Sequence, residues 1–385
     1  MLPATRKSAV VYVVYASSRL HRNAEHGKRG HGMAVEYRVG IIGCGRRPGP
    51  GPDGRMRGGG IAENHAKGYE AHGRTRIVAA ADISKENLES FQERHNVPAG
   101  YLDYREMLAK EQLDIVSICT WVGLHSQICV DTANSKPKGI LCEKPMALTL
   151  PEADAMLDAC RRNHVKFTID HQRRLGRPFG LAKELLQAGR IGELLRLEGY
   201  VPGGNLLDWG THWIDMFFFY QDQAPVEWVM AMADRQTDRS LFGVEVEDHS
   251  ITHYQFRDGV RASIELGVPI KGQPANRLIG SEGMIEVGVT NGPNVRVRGR
   301  GDRDWEVPDM PEGIHGAVHF ASSVAELVAA IEEDREPRNS GANGRQALEV
   351  ILAGYESIYR RAQITLPLEV TDNPISRLIA AWRTS

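Results

Sequence analysis

Residues 37–45 read YRVGIIGCG, an apolar run closed by Gly43 and Gly45. A short run of this kind is the form of a strand buried on both faces, and its terminal glycines make a tight turn. Three similar runs follow, IVAAAD at 77–82, DIVSICT at 114–120 and GILCEKP at 139–145, separated by helix-like segments such as SKENLESFQERH at 84–95. Strand alternating with helix implies βαβ units and therefore a parallel sheet. PEADAMLDACRRNH at 151–164 predicts a further helix, with proline and acidic residues in its first turn where they suit the helix dipole. VKFTID closes this half as one more strand, so a doubly wound domain is expected over 36–170.

The pattern then changes. After a helical PFGLAKELLQAG, β-rich stretches recur at LLRLEGYV, VEWVMAMAD, HSITHYQF, VRASIELGV, NRLIGSEGMIEVGV and NVRVRG. They predict a mostly antiparallel sheet with one face covered. Two late amphipathic helices, HFASSVAELVAAIEED and GRQALEVILAGYESIYRRA, complete a second α/β domain over 171–385. Residues 1–35 carry basic residues and glycines without periodicity; they are expected to be a disordered extension, with Met33 as an alternative start.

A chain of 385 residues is long enough for two cores, since single cores stop growing at roughly 250–300 residues. A formal net charge of −2 supplies no drive toward nucleic acid or anionic membrane, so the expected partner is a small molecule. Five cysteines, none in a CxxC pair and most in apolar runs, are expected to be reduced thiols of a cytoplasmic protein, with no metal site. No apolar run approaches the roughly 18 residues of a membrane span.

The glycines after the first strand suggest a nucleotide site of the Rossmann type: they let the backbone approach a pyrophosphate beside a helix N-terminus. The third glycine of GxGxxG falls on Pro48, and RRPGPGPDGRMRGGG at 46–60 separates the turn from the helical IAENHAKGYE. Asp82, at the end of the second strand, would accept hydrogen bonds from the adenosine ribose and repel a 2′-phosphate, which favours NAD over NADP. Lys85 keeps NADP open, and a helix cap is the alternative role for Asp82.

LLDWGTHWIDM at 206–216 places Asp208 and His212 four residues apart, on one face of a helix, with Asp215 continuing the stripe. Burying such groups without partners costs roughly 2–7 kcal/mol each, so they either satisfy one another or line a polar cavity. The cavity is the reading adopted. Glu143-Lys144-Pro145 ends the GILC strand; Pro145 favours an extended Lys144, and ligands of doubly wound sheets sit beyond the strands' carboxyl ends.

VGIIGCG, AAD at 80–82, the segment Thr120 to His125, Glu143-Lys144-Pro145, GGNLLDWGTHWID, GSEGMIEV and the late GRQALEVILAGYESIYRRAQITLPL together resemble the glucose-fructose oxidoreductase, inositol dehydrogenase and rhizopine-catabolism (Gfo/Idh/MocA) family from about residue 37 onward. The resemblance implies an N-terminal Rossmann domain and a C-terminal α/β domain whose open sheet builds a dimer or tetramer. It implies NAD(P)-dependent oxidation or reduction of a carbohydrate or polyol. Lys144, Asp208 and His212 would lie beside the nicotinamide, with Lys144 hydrogen-bonding the reacting hydroxyl, His212 as general base and Asp208 orienting the imidazole. Gly43, Cys44, Gly45, Asp82, Thr120, Trp121, His125, Glu143 and Lys144 would form the cofactor site, although a capping His125 and a core Trp121 are alternatives. Arg173 and Arg174 would line the substrate pocket, or else form salt bridges at the domain seam. The connection GYVPGGNLLDWG is short for the family, so part of the pocket wall must come from a neighbouring subunit or from the segment around His315 and His319. Three functions are open: a dehydrogenase acting on a secondary hydroxyl of a sugar, glycoside, sugar acid or inositol; a redox-neutral NAD-dependent glycoside hydrolase; and a non-catalytic NAD-binding regulator.

Overall fold

Strands β1 (Tyr37–Ile42), β2 (Thr75–Ala81), β3 (Ala99–Tyr101), β4 (Ile115–Ile118), β5 (Gly139–Cys142) and β6 (Lys166–Ile169) form one sheet in the order β3-β2-β1-β4-β5-β6. Every pair in it is parallel. The computed structural model describes residues 36–45, 60–241, 243–267 and 272–383. The expectations for residues 1–35 and for the insertion at 46–59 lie outside these.

Helices α1 (Ile61–His72), α2 (Lys85–His95), α3 (Tyr104–Lys110), α4 (Val122–Asn134) and α5 (Leu150–Arg162) connect the strands. Local chemistry sets their starts. The Ser84 hydroxyl accepts from Asn87 N–H at the head of α2, and Thr149 with Glu152 forms a reciprocal capping box at the head of α5. Val39, Ile41, Ile115, Val116, Ile118 and Ile140 are fully buried, as two-sided strands require. Because all six strands run the same way, Gly43, Asp82, Thr120 and Lys144 emerge along one edge.

A 3₁₀ turn (Gln172–Leu175) and α6 (Arg177–Gln187) lead into the second half. There β7 (Leu194–Val201) is followed by a π-helical turn (Leu206–Gly210) and α7 (Thr211–Tyr220). Then come β8 (Val226–Asp234), a two-stranded ribbon β9 (Ser240–Leu241) and β10 (Val244–Glu245), β11 (His249–Phe256), β12 (Arg261–Leu266), β13 (Pro274–Gly280), β14 (Gly283–Val289), β15 (Val295–Arg298), α8 (Ala317–Glu332), α9 (Gly341–Arg360), β16 (Ile364–Thr365) and α10 (Pro374–Trp382).

The second sheet runs β15-β14-β13-β7-β12-β11-β8-β16 and is antiparallel except between β7 and β12. Helices α7 and α9 pack on it, α7 against β12 and α9 against β8. Gly199 of β7 permits this approach: a Cβ there would lie 3.2 Å from Phe217 Cζ. A charge ladder spans three neighbouring strands, with Arg277 bonded to Glu198 at 3.0 Å and to Glu286 at 2.7 Å.

Helix α8 departs from the expected division at residue 170. It packs on α1, β5 and β6, and Val324, Leu327 and Val328 join Val39, Ile41 and Tyr69 in one apolar core. Its apolar stripe completes the cover of the parallel sheet, a non-local pairing that periodicity does not report. Among the described residues no helix is long and apolar enough to cross a membrane.

Candidate active site

The carboxyl edge of the parallel sheet opens into a cleft of about 1530 Å³. That exceeds the roughly 300–1,000 Å³ of drug-sized pockets and leaves room for a dinucleotide with a second small molecule.

One end of the cleft fits the dinucleotide. Gly43 has φ +89°, and a Cβ on it would sit 2.9 Å from both the Cys119 carbonyl carbon and Thr120 Cγ2. Only glycine meets both demands, and it leaves bare backbone at the wall. Asp82 lines the same wall, where Oδ2 accepts from Cys44 N–H (2.7 Å) and Oδ1 from Ser84 N–H (2.8 Å). Ser84, not Asp82, caps α2, so the capping alternative for Asp82 does not hold. Thr120 also lines the cleft and has a buried Oγ1 without a hydrogen-bond partner. Trp121 is half exposed on the cleft wall rather than in the core. These are the groups that would hold a dinucleotide: the glycine turn its pyrophosphate, Asp82 a ribose, Thr120 a polar atom of the cofactor.

Two of the expected cofactor residues act from behind the wall. Cys44 is buried, and its amide is spent on Asp82. His125 is buried with Nδ1 2.9 Å from the Pro145 carbonyl and Nε2 3.0 Å from the Thr120 carbonyl. It braces the loop that carries Lys144 instead of facing the cleft, and burial lowers its pKa.

Glu143 and Lys144 leave β5 together. Glu143 Oε1 is 3.0 Å from His65 Nε2 on α1, and Oε2 accepts from Lys144 N–H at 3.1 Å. His65 Nδ1 meets Ser117 Oγ at 3.1 Å, and Asp170 lies 3.7 Å from Nε2. Burial opposes charge on His65, yet Cys119, Glu143 and Asp170 raise its pKa well above the usual imidazole value. Burial likewise pushes Glu143 up, but His65 and Lys144 more than offset it and hold the carboxyl low. Asp170 rises to about 7 because it is buried beside Glu143. Donor atoms of His65, Glu143 and Asp170 lie within 4.8 Å of one another, close enough to hold a metal ion. His65 already engages Glu143, so the trio works as an internal charge network fixing the base of Lys144.

The expected Asp208–His212 couple is not formed. Asp208 is ion-paired with the Lys144 ammonium, and His212 Nδ1 is buried without a hydrogen-bond partner. The cause is the π-helical turn, whose wider winding shifts Asp208 off the α7 face. Side chains from elsewhere hold that turn: Asn205 Oδ1 accepts from Asp208 N–H (2.8 Å), Glu247 Oε1 from Leu206 N–H (2.6 Å) and Tyr355 Oη from Leu207 N–H (3.2 Å). Tyr355 in turn donates to Glu247 Oε2 at 2.7 Å. His212 lines the cleft; burial, then the charges of Arg173 and Lys144, lower its pKa well below 6.5 and leave it neutral.

The two arginines divide. Arg174 Nε lies 2.9 and 2.7 Å from the two Asp215 oxygens, with His171 Nδ1 3.2 Å from the same carboxylate. It forms a buried salt bridge within the second half and does not line the cleft; Asp215 is consumed there as well. Arg173 lines the cleft together with Trp209, His315 and His319, so the segment around His315 supplies wall that the short 199–210 connection lacks. Sequence reasoning missed His65, Asp170, Asn205, Glu247 and Tyr355. Of these only His65 left a sign, a histidine on the apolar Ala62-Ala66-Tyr69 face of α1.

A glycine turn, a carboxylate at the end of β2 and a lysine at the end of β5 around one large cleft define a dinucleotide-dependent class of protein. Two family models match: the oxidoreductase family with an NAD-binding Rossmann fold over residues 56–171, and the GFO/IDH/MocA C-terminal domain over residues 198–286. The chain belongs to the Gfo/Idh/MocA oxidoreductase family, and its first half is the family's NAD-binding fold. It is similar to a myo-inositol 2-dehydrogenase of Thermotoga maritima, 26% identical over 241 residues, covering 59% of this chain and 67% of that protein. An inositol 2-dehydrogenase of Rhizobium meliloti is 24% identical, covering 86% of this chain and 100% of the relative. The solved structure of a levoglucosan dehydrogenase in complex with NADH superposes with a TM-score of 0.73 at 21% identity, covering 86% of this chain and 99% of the other.

Proposed function

We propose that this chain transfers hydride between NAD and a secondary hydroxyl of a sugar, glycoside, sugar acid or inositol. The observation that carries the proposal is the shared wall: Lys144, held by Asp208, and the neutral His212 face the cleft that Gly43 and Asp82 also line. When bound, the nicotinamide supplies the two-electron chemistry by accepting the hydride. The Lys144 ammonium donates a hydrogen bond to the reacting oxygen and stabilises negative charge on it. His212, uncharged and lining the cleft, accepts the hydroxyl proton. Asp208 is a positioning residue that acts through Lys144. The names of the inositol and levoglucosan relatives support a polyhydroxylated substrate.

NAD is preferred to NADP in this reading, because Asp82 repels a 2′-phosphate and Lys85 lies 3.6 Å from Glu89 as an ion pair. The subunits associate through the second sheet, where Met230 and Met232 of β8 are 47% and 66% exposed. The test of function is NADH formation across a polyol panel by wild type, Lys144→Ala and His212→Ala. Turnover in wild type and its loss in both variants is expected; equal turnover in all three refutes the assignment.

A further inference from the structure

We propose that Arg173 binds an anionic group of the substrate, so that the molecule turned over is a polyhydroxy compound bearing a carboxylate or a phosphate monoester. The inference rests on the dehydrogenase reading above and narrows its substrate class.

Arg173 is 5% exposed, yet among the described residues it forms no ion pair within 4.0 Å. Its guanidinium carbon lies 4.7 Å from the Trp213 ring and 5.4 Å from the Trp209 ring. The indole faces hold the cation while leaving its in-plane N–H donors free. Nη2 reaches His315 Nδ1 at 3.4 Å, and Nε and Nη1 have no hydrogen-bond partner. The next residue shows the contrast: Arg174 is 4% exposed, ion-paired with Asp215 and bonded further to the Arg338 carbonyl and Gln223.

The carboxylates of Asp170, Asp208 and Asp215 act on Arg173 only from beyond ion-pair distance and do not offset its burial, which lowers its pKa to about 10, and the histidines around it carry no compensating charge. Burial and the guanidinium itself lower His212, and they bring His315 down to about 4. A buried guanidinium with unmade hydrogen bonds is costly to keep unless something completes it. Arg173 lines the cleft with Gln172, Trp209 and His212, where a bound anion would do so. Arg173, His212 and Lys144 line the same cleft, so one molecule can present its anion to the first and its reacting hydroxyl to the last.

The experiment uses the full chain with NAD and three probes sharing one ring: glucose, glucuronate and glucose 6-phosphate. It reads kcat/KM, and also quenching of tryptophan fluorescence, to which Trp209 and Trp213 contribute. Either anionic probe is expected to exceed glucose in the wild type. Arg173→Gln is expected to reduce the anion-to-neutral ratio by about 100-fold, with partial recovery in Arg173→Lys. Which anion wins separates carboxylate from phosphate. An unchanged ratio in Arg173→Gln overturns the proposal while leaving the dehydrogenase reading intact. If no probe reduces NAD, the dehydrogenase reading is what fails for this ring. Saturable quenching by an anionic probe, lost in Arg173→Gln, then upholds the anion site, and no quenching by either overturns it.

Discussion

The Lys144 ammonium and the Asp208 carboxylate are paired across a separation of 64 residues, one at the end of β5 and the other in the π-helical turn before α7. The pair joins the parallel sheet to the second half of the chain and presents its lysine to the cleft. Groups that act as one unit lose function non-additively. Asp208→Asn and Lys144→Ala should each reduce kcat/KM by about 10²-fold or more, and the double variant should be little worse than either alone. Losses that multiply in steady-state kinetics would show that the two side chains act separately.

His212 sets a pH dependence whose sign is fixed by its depressed pKa. Burial and the charges of Arg173 and Lys144 lower it well below 6.5, the value an imidazole has in the unfolded chain. Below 6.5 the unfolded state therefore takes up the proton first, and stability from this group, fully present above 6.5, falls as pH drops toward the folded value. Urea unfolding of His212→Asn should show a flatter stability curve below pH 6.5 than wild type. The wild-type kcat/KM profile should lack an acid limb at 6.5; a limb there that vanishes in His212→Asn would contradict the assignment.

Asp82 serves both cofactor choice and local structure. Removing its carboxylate strands the Cys44 and Ser84 amides, which should cost about 1–3 kcal/mol in denaturant unfolding. Fluorescence titration should show NADH binding weakened by about 10-fold in Asp82→Ala, with NADPH affected less. Tighter NADPH binding by the wild type would overturn the role given to Asp82.

Arg174 and Arg173 should fail in different ways. Arg174→Ala leaves Asp215 as an uncompensated buried charge beside His171, a loss of about 3–5 kcal/mol. The urea midpoint should fall accordingly. At temperatures where Arg174→Ala remains folded, KM should stay near the wild-type value, and a large rise in KM would return Arg174 to the substrate site.

The parallel sheet was legible because a two-sided buried strand is a continuous apolar run, and VGII, IVAAA, IVSI and GILC are such runs. The short β3 and β16 were not, since Ala-Gly-Tyr and Ile-Thr are too brief to carry a period. The glycine turn, Asp82, Lys144 and His212 could be picked out because their residue types are unusual for their positions.

By itself the amino-acid sequence determined the longer strands and helices, and which edge of the first sheet carries chemistry. Both follow from local periodicity and from strands running the same way. Only the tertiary structure decided who pairs with whom. The turn holding Asp208 is shaped by Glu247 and Tyr355, which bond its amides from 41 and 148 residues away. Arg174 found Asp215 across 41 residues, while Arg173, adjacent in the chain, was left between two indole rings facing the cleft. Neighbouring residues of one type diverge because a buried charge is governed by what surrounds it in space, and that company is assembled from distant parts of the chain.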